Sequence, residues 1–169
     1  MLFFFLENLF TQNMFPNLAI KLLNFNNLLI NLMSLDIGYE STYFLRVRYG
    51  ETDKMGYCYY GNYAEFLEVG RVEALRSKGI TYRELEESGI MLPVTEFQIK
   101  YLAPAKYDDL LKIVTCISKL SGTRLYFDYE IYNEENIKLV QAETILVFVN
   151  ASTMKPRHAP EIFLKIFNV

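Results

Sequence analysis

Between Thr95 and Tyr101, Phe97, Ile99 and Tyr101 alternate with Glu96, Gln98 and Lys100, which is the period of a strand with one buried face. Pro104 ends that run. The same period returns in Leu111, Ile113, Thr115 and Ile117 up to Ser121-Gly122, then in Leu125, Phe127, Tyr129 and Ile131 up to the polar turn Asn133 to Asn136. A last strand follows over about Lys138 to Asn150. Short turns between the runs make neighbouring strands antiparallel. Upstream, "YFLRVR" from Tyr43 to Arg48 predicts a first strand that stops at Gly50.

The period changes after that strand. Tyr63, Phe66, Leu67, Gly70 and Ala74 recur at helical spacing through to Ser77, with Asn62 and Glu65 placed as a capping box and Gly79 placed to end the helix. Gly70 on the apolar stripe leaves room for a close neighbour. Thr81 and Glu84 repeat the capping pattern, so "TYRELEES" predicts a short second helix ended by Gly89. The order is strand, long helix, short helix, four strands. A five-stranded antiparallel sheet needs apolar cover on one face, and the long helix is the only element of the right size. The predicted class is α+β, a sheet wrapped around one central helix, with open edges that favour self-association.

Composition changes the picture little. The chain has 169 residues, 51% of them hydrophobic and 22% charged, the size of one ordinary domain. A net charge of −3 without a basic block excludes the electrostatic footprint of a nucleic-acid binder. Two separated cysteines, Cys58 and Cys116, and a single histidine, His158, are too few for a Cys/His metal site, so no metal and no cofactor is expected. Isolated thiols fit a cytoplasmic setting.

Residues 1–32 differ from the rest, being rich in Phe, Leu and Asn, with Glu7 and Lys21 their only charges. The best apolar run, Leu22 to Leu35, is interrupted by Asn24, Asn26, Asn27 and Asn31, against a membrane span. No basic residue precedes Phe3 to Phe5, against a secretory signal. Residues 1–32 are therefore read as an extension outside the fold, with a single domain over 33–169, and a membrane partner is not expected.

The loop and helix start read "RYGETDKMGYCYYGNYAEFLEVGR" from Arg48 to Arg71. The order of elements, together with Thr52-Asp53, Gly56, Tyr59, Asn62-Tyr63, Phe66, Glu68 and Arg71, resembles the hotdog-fold acyl-CoA thioesterases of the 4-hydroxybenzoyl-CoA thioesterase type. These include the small bacterial enzymes associated with the Tol-Pal region. The resemblance runs from about Tyr43 to Pro160, and "LVFVNASTMKPRHAP" matches the family's last strand and tail. One position departs from the pattern: Tyr60 stands where the family often has a histidine, so no role of that histidine transfers.

The resemblance implies a hotdog fold and hydrolysis of an acyl-CoA to free acid and coenzyme A. Asp53 would be general base or nucleophile, and the amide near Tyr60 would polarise the thioester carbonyl. On spacing alone Asp53 is an ordinary Asx-turn residue; the surrounding pattern reverses that preference. Glu65 and Glu68 are second-choice carboxylates, with capping and an i,i+3 pair to Arg71 as their plain readings. Tyr57, Tyr59 and Tyr60 are candidate acyl-pocket residues; Tyr63 falls on the core stripe. Cys58 reads as a small hydrophobe and His158 as an exposed tail residue. Coenzyme A phosphates call for cations, of which Arg124 and Lys155 are the candidates, ahead of Lys119 and Arg157.

Two other classes remain. A hotdog hydratase would want a core histidine paired with an acid, and none is present. A non-catalytic acyl-CoA-binding or assembly module keeps the fold and is the alternative. Expected partners are the acyl-CoA substrate and further copies of the chain, as a homodimer or homotetramer.

Overall fold

The structure, a computed structural model, describes residues 34–168; the extension expected over residues 1–32 lies outside them. Strand β1 (Ser34–Arg46) leads into a 3-10 turn (Tyr49–Glu51), helix α1 (Asn62–Arg76) and helix α2 (Tyr82–Glu87). Six strands follow: β2 (Ile90–Met91), β3 (Val94–Tyr101), β4 (Leu110–Ser121), β5 (Arg124–Tyr132), β6 (Lys138–Val147) and β7 (Val149–Asn150). Helix α3 (Glu161–Phe167) ends the described chain.

The main sheet has the order β1-β4-β5-β6-β3, antiparallel throughout. The three central strands form a meander because their connections are tight. Ser121 pairs with Arg124 across Gly122 and Thr123, and Gly122 has φ 59°, the positive φ that short hairpins require. Between β5 and β6, the Asn133 side-chain oxygen accepts from Ile137 N at 2.8 Å and Asn136 takes φ 60°. The alternation read from sequence is the alternation of burial: Leu111, Ile113, Ile117, Leu125, Phe127 and Ile131 are fully buried.

Helix α1 lies on the inner face of that sheet, against β1 and β4, with Tyr63, Phe66, Leu67, Gly70, Ala74 and Leu75 buried. A Cβ on Gly70 would stand 2.6 Å from Thr115 Oγ1 and 2.9 Å from Ile113 Cγ2; only a glycine permits this closeness. The second capping box forms as expected, Thr81 Oγ1 accepting from Glu84 N at 3.2 Å and Glu84 Oε2 accepting from Thr81 N at 3.3 Å.

Three features depart from the sequence reading. Strand β1 begins at Ser34 rather than Tyr43: Leu35, Ile37 and Tyr39 alternate in burial with Asp36, Gly38 and Glu40, set apart from Tyr43 by the polar run Glu40 to Thr42. A register shift against β4 falls between Asp36 and Tyr39, with Gly38 at φ 61°. The short pair β2–β7 forms a separate two-stranded sheet. The segment read as a tail carries α3, whose Phe163 and Phe167 are buried, with the Phe163 ring 5.4 Å from Phe148 and the Phe167 ring 6.0 Å from Tyr39. His158 is exposed, as expected.

Candidate active site

The loop between β1 and α1 is held at both ends. Glu51 is buried, and its carboxylate accepts from Arg48 N and Nε, each at 2.6 Å, so the buried charge is paired. At the far end Tyr59 N donates to Glu51 O at 2.8 Å and Cys58 N to Ala105 O at 2.8 Å. Within the loop Asp53 N donates to Tyr57 O at 2.8 Å and Gly56 N to Asp53 O at 2.9 Å, and Gly56 adopts φ 79°.

Asp53 is half-buried. Its Oδ1 accepts from Met55 N at 2.8 Å, the Asx-turn geometry, while Oδ2 has no hydrogen-bond partner among the described residues. The turn therefore uses one carboxylate oxygen and leaves the other available. The two readings of Asp53 are compatible in one side chain.

Asn62 does not cap the helix. It is the first residue of α1, the cap position falls on Gly61 without a side-chain bond, and Asn62 Nδ2 donates instead to Glu51 O at 2.6 Å. The side chain thus ties the helix start to the loop start. The Tyr60 and Gly61 amides find no acceptor among the described residues, as the first N–H groups of a helix commonly do not. Tyr59 O accepts from Asn62 N at 3.0 Å; because the peptide is planar and trans, the Tyr60 N–H on the same plane points the opposite way, out of the helix end.

Asp53, Tyr57, Cys58, Tyr60, Tyr63 and Tyr101 line one cavity of about 310 Å³. Its walls are aromatic, its polar groups few. Tyr59 lies outside that lining, with its ring 4.5 Å from that of Tyr60. Burial pushes the Cys58 thiol up to about 11 and the Tyr63 phenol up to about 12, so both are neutral near pH 7. Cys58 is 6% exposed and behaves as the small hydrophobe expected.

The other expected residues lie elsewhere. Along β6, Tyr101 is opposite Val140 and Arg124 opposite Val147, seven residues or roughly 23 Å away. Lys155 is beyond that same end, its carbonyl accepting from Asn150 N at 2.9 Å. Within one chain neither cation reaches the cavity. Lys119 sits over the Tyr126 ring, 4.3 Å from its centroid. Glu68 is exposed, and Arg71 does not pair with it: buried under α1, Arg71 Nε donates to the Tyr82 hydroxyl at 3.0 Å. Burial works to lower the Arg71 pKa, and the Tyr82 and Tyr129 hydroxyls outweigh it. Glu65 is exposed without a capping role.

Sequence reasoning passed over Glu51 and Tyr101. Glu51 sits three residues after Arg48, a spacing that could have been read as a local pair. Tyr101 gave no such signal, since its partner in the loop is 41 residues away.

A family model described as the thioesterase superfamily matches residues 55–140. The acyl-CoA thioester hydrolase YbgC of Escherichia coli O6:H1 is 37% identical over 73% of this chain and 92% of its own. The 1,4-dihydroxy-2-naphthoyl-CoA hydrolase of Thermosynechococcus vestitus is 30% identical over 58% of this chain and 68% of its own. Among solved structures, a DHNA-CoA thioesterase from Staphylococcus aureus superposes with a TM-score of 0.73 at 32% identity, covering 76% of this chain and 89% of that one.

Proposed function

Since the chain belongs to the thioesterase superfamily and is a thioester hydrolase of the hotdog fold, we propose that it hydrolyses an acyl-CoA, with Asp53 as the catalytic carboxylate. The observation that carries this reading is the shared cavity. Among the described residues one Asp53 carboxylate oxygen has no partner and the Tyr60 amide lacks an acceptor, and both residues line the same space of about 310 Å³.

The chemistry follows. The acyl carbonyl oxygen lies at the Tyr60 amide, where the helix's positive end favours developing negative charge. As general base, Asp53 takes a proton from water while the hydroxyl oxygen bonds to the carbonyl carbon; collapse breaks the C–S bond, and the thiolate of coenzyme A leaves and takes up the proton. As nucleophile, the carboxylate would bond to that carbon itself, expelling the coenzyme A thiolate as the C–S bond breaks, and water would then cleave the mixed anhydride. A single turnover in ¹⁸O-water that labels the Asp53 carboxylate would establish the second route, with water attacking the aspartyl carbonyl, because the general-base route puts label only into the product acid. Tyr57 and Tyr60 supply rigid aromatic walls for the acyl group.

A second copy completes the binding groove. Among the described residues strand β3 is a sheet edge paired only with β6, and Val94, Phe97 and Tyr101 are each close to half exposed. Antiparallel β3–β3 pairing in a two-fold dimer would set the partner's Val94 end beside Tyr101. That arrangement carries the partner's Arg124 and Lys155 to the Asp53 side, where coenzyme A phosphates need cations. Asp53→Asn tests the catalytic reading with a panel of acyl-CoAs. We expect a fall in kcat of about 10²–10⁴-fold; an unchanged rate sinks the Asp53 mechanism. A wild-type protein that binds but never hydrolyses the panel favours the binding-module alternative. No helix among the described residues is long and apolar enough to cross a membrane. The unpaired cysteines Cys58 and Cys116 fit the cytoplasmic placement that completes the proposal.

A further inference from the structure

From the last residue of β3, the Tyr101 hydroxyl donates to Tyr60 O at 3.0 Å, and its ring meets Tyr63 edge-on at 5.5 Å. We propose that Tyr101 is a positioning residue for the reaction, clamping the backbone that presents the Tyr60 amide to the thioester carbonyl. The inference rests on the thioesterase reading above and extends it to a residue outside the loop.

Two peptide planes meet at the Tyr60 Cα. The first carries Tyr59 O and the Tyr60 N–H, and Asn62 N holds it from the helix side at 3.0 Å. The second carries Tyr60 O and the Gly61 N–H, and among the described residues only the Tyr101 hydroxyl holds it. A peptide plane is rigid, so holding one atom of each plane restrains φ and ψ at Tyr60 and with them the direction of its N–H. Without the second hold, that plane turns about ψ and the first relaxes with it. The Tyr60 ring is 63% exposed and gives little restraint of its own. The Gly61 site has a further use for the clamp: a Cβ there would lie 2.7 Å from the Tyr59 ring, so this stretch is packed tightly on one side and open on the other.

Tyr101 also sits well for the task energetically. Burial, then the Tyr60 and Cys58 groups beside it, push its phenol above the ordinary value, so it stays a neutral donor at working pH. A donor fixed before the substrate arrives costs no reorganisation in the transition state. Because the bond goes to backbone, no substitution at Tyr60 can remove it.

Tyr101→Phe keeps the ring and its contact with Tyr63 and deletes the donor. With the acyl-CoA that wild type cleaves fastest, we expect kcat to fall about five- to tenfold, the scale of one neutral hydrogen bond, with KM unchanged. Native-state hydrogen exchange provides the arm that needs no activity: the Tyr60 and Gly61 amides should exchange faster in Tyr101→Phe while those of β4 and β5 do not. Unchanged kcat or unchanged exchange at both amides overturns the clamp. An equal change in KM and kcat would assign Tyr101 to substrate contact instead and overturn it too. Failure of Asp53→Asn to lose activity, with Tyr101→Phe behaving as stated, would overturn the catalytic carboxylate and leave the clamp standing.

Discussion

A methyl group at position 70 has nowhere to go. Thr115 Oγ1 and Ile113 Cγ2, both on β4, stand 2.6 and 2.9 Å from where it would be, so Gly70→Ala must push α1 off the sheet or turn two packed side chains. The helix itself would gain up to about 1 kcal/mol from the exchange, yet overpacking costs about 1–3 kcal/mol, and we expect a net loss of stability read as a lower denaturant midpoint. A variant as stable as the parent would show that the helix can move. Cys58 sets a second test. Burial raises its pKa from 9.0 to about 11 in the folded chain, so the folded state keeps a proton that the unfolded state gives up first. Its contribution to stability is whole below about pH 9 and is lost as pH rises towards 11. Cys58→Ala should flatten the decline in that window; an identical decline would put the alkaline sensitivity elsewhere. Of the candidate residues, Asp53 stands out in sequence only through the motif around it, because a loop carboxylate bonding its own turn looks the same whether or not it is catalytic. Asn62 was misread because capping is judged from local spacing, and its true acceptor, Glu51 O, lies eleven residues back.

Among elements, α1 and α2 were readable from helical spacing and capping residues, and β3 to β5 from alternation over most of their length, although β4 loses it between Ile117 and Lys119. Strand β1 was read only from Tyr43, although Leu35, Ile37 and Tyr39 keep a strand period before it; the polar run Glu40 to Thr42 separates the two halves. Helix α3 went unseen since its apolar face covers Phe148 and Tyr39, contacts that no local pattern announces. Strand β3 showed its alternation but not its exposure: Phe97 is 46% exposed although its position reads as the buried face. An aromatic left half in water on a sheet edge is the surface that the proposed β3–β3 dimer would cover. Phe97→Lys should weaken self-association, read as a lower mass by sedimentation equilibrium, with acyl-CoA hydrolysis falling alongside. A mass unchanged by that charge would move the interface off β3.

For the whole molecule, the antiparallel sheet and its central helix followed from the order of elements, whereas the strand order did not. Neighbours in sequence are neighbours in the sheet only from β4 to β6; β1 joins β4 and β3 joins β6 across long separations. Loop closure makes such distant pairings slow to form. The β4–β5–β6 meander is thus the natural first structure on the way to the native state, with the two edges docking later. The Asp53 loop depends on both edges, for it leaves β1 at one end and is tied to Ala105, between β3 and β4, at the other. Refolding from denaturant should therefore restore sheet circular dichroism before hydrolysis returns. Activity that recovers ahead of the sheet signal would refute that order. A chain built this way completes its Asp53 loop only as the last edges of its sheet close, so a half-folded copy would carry every residue of the proposed site and still be silent.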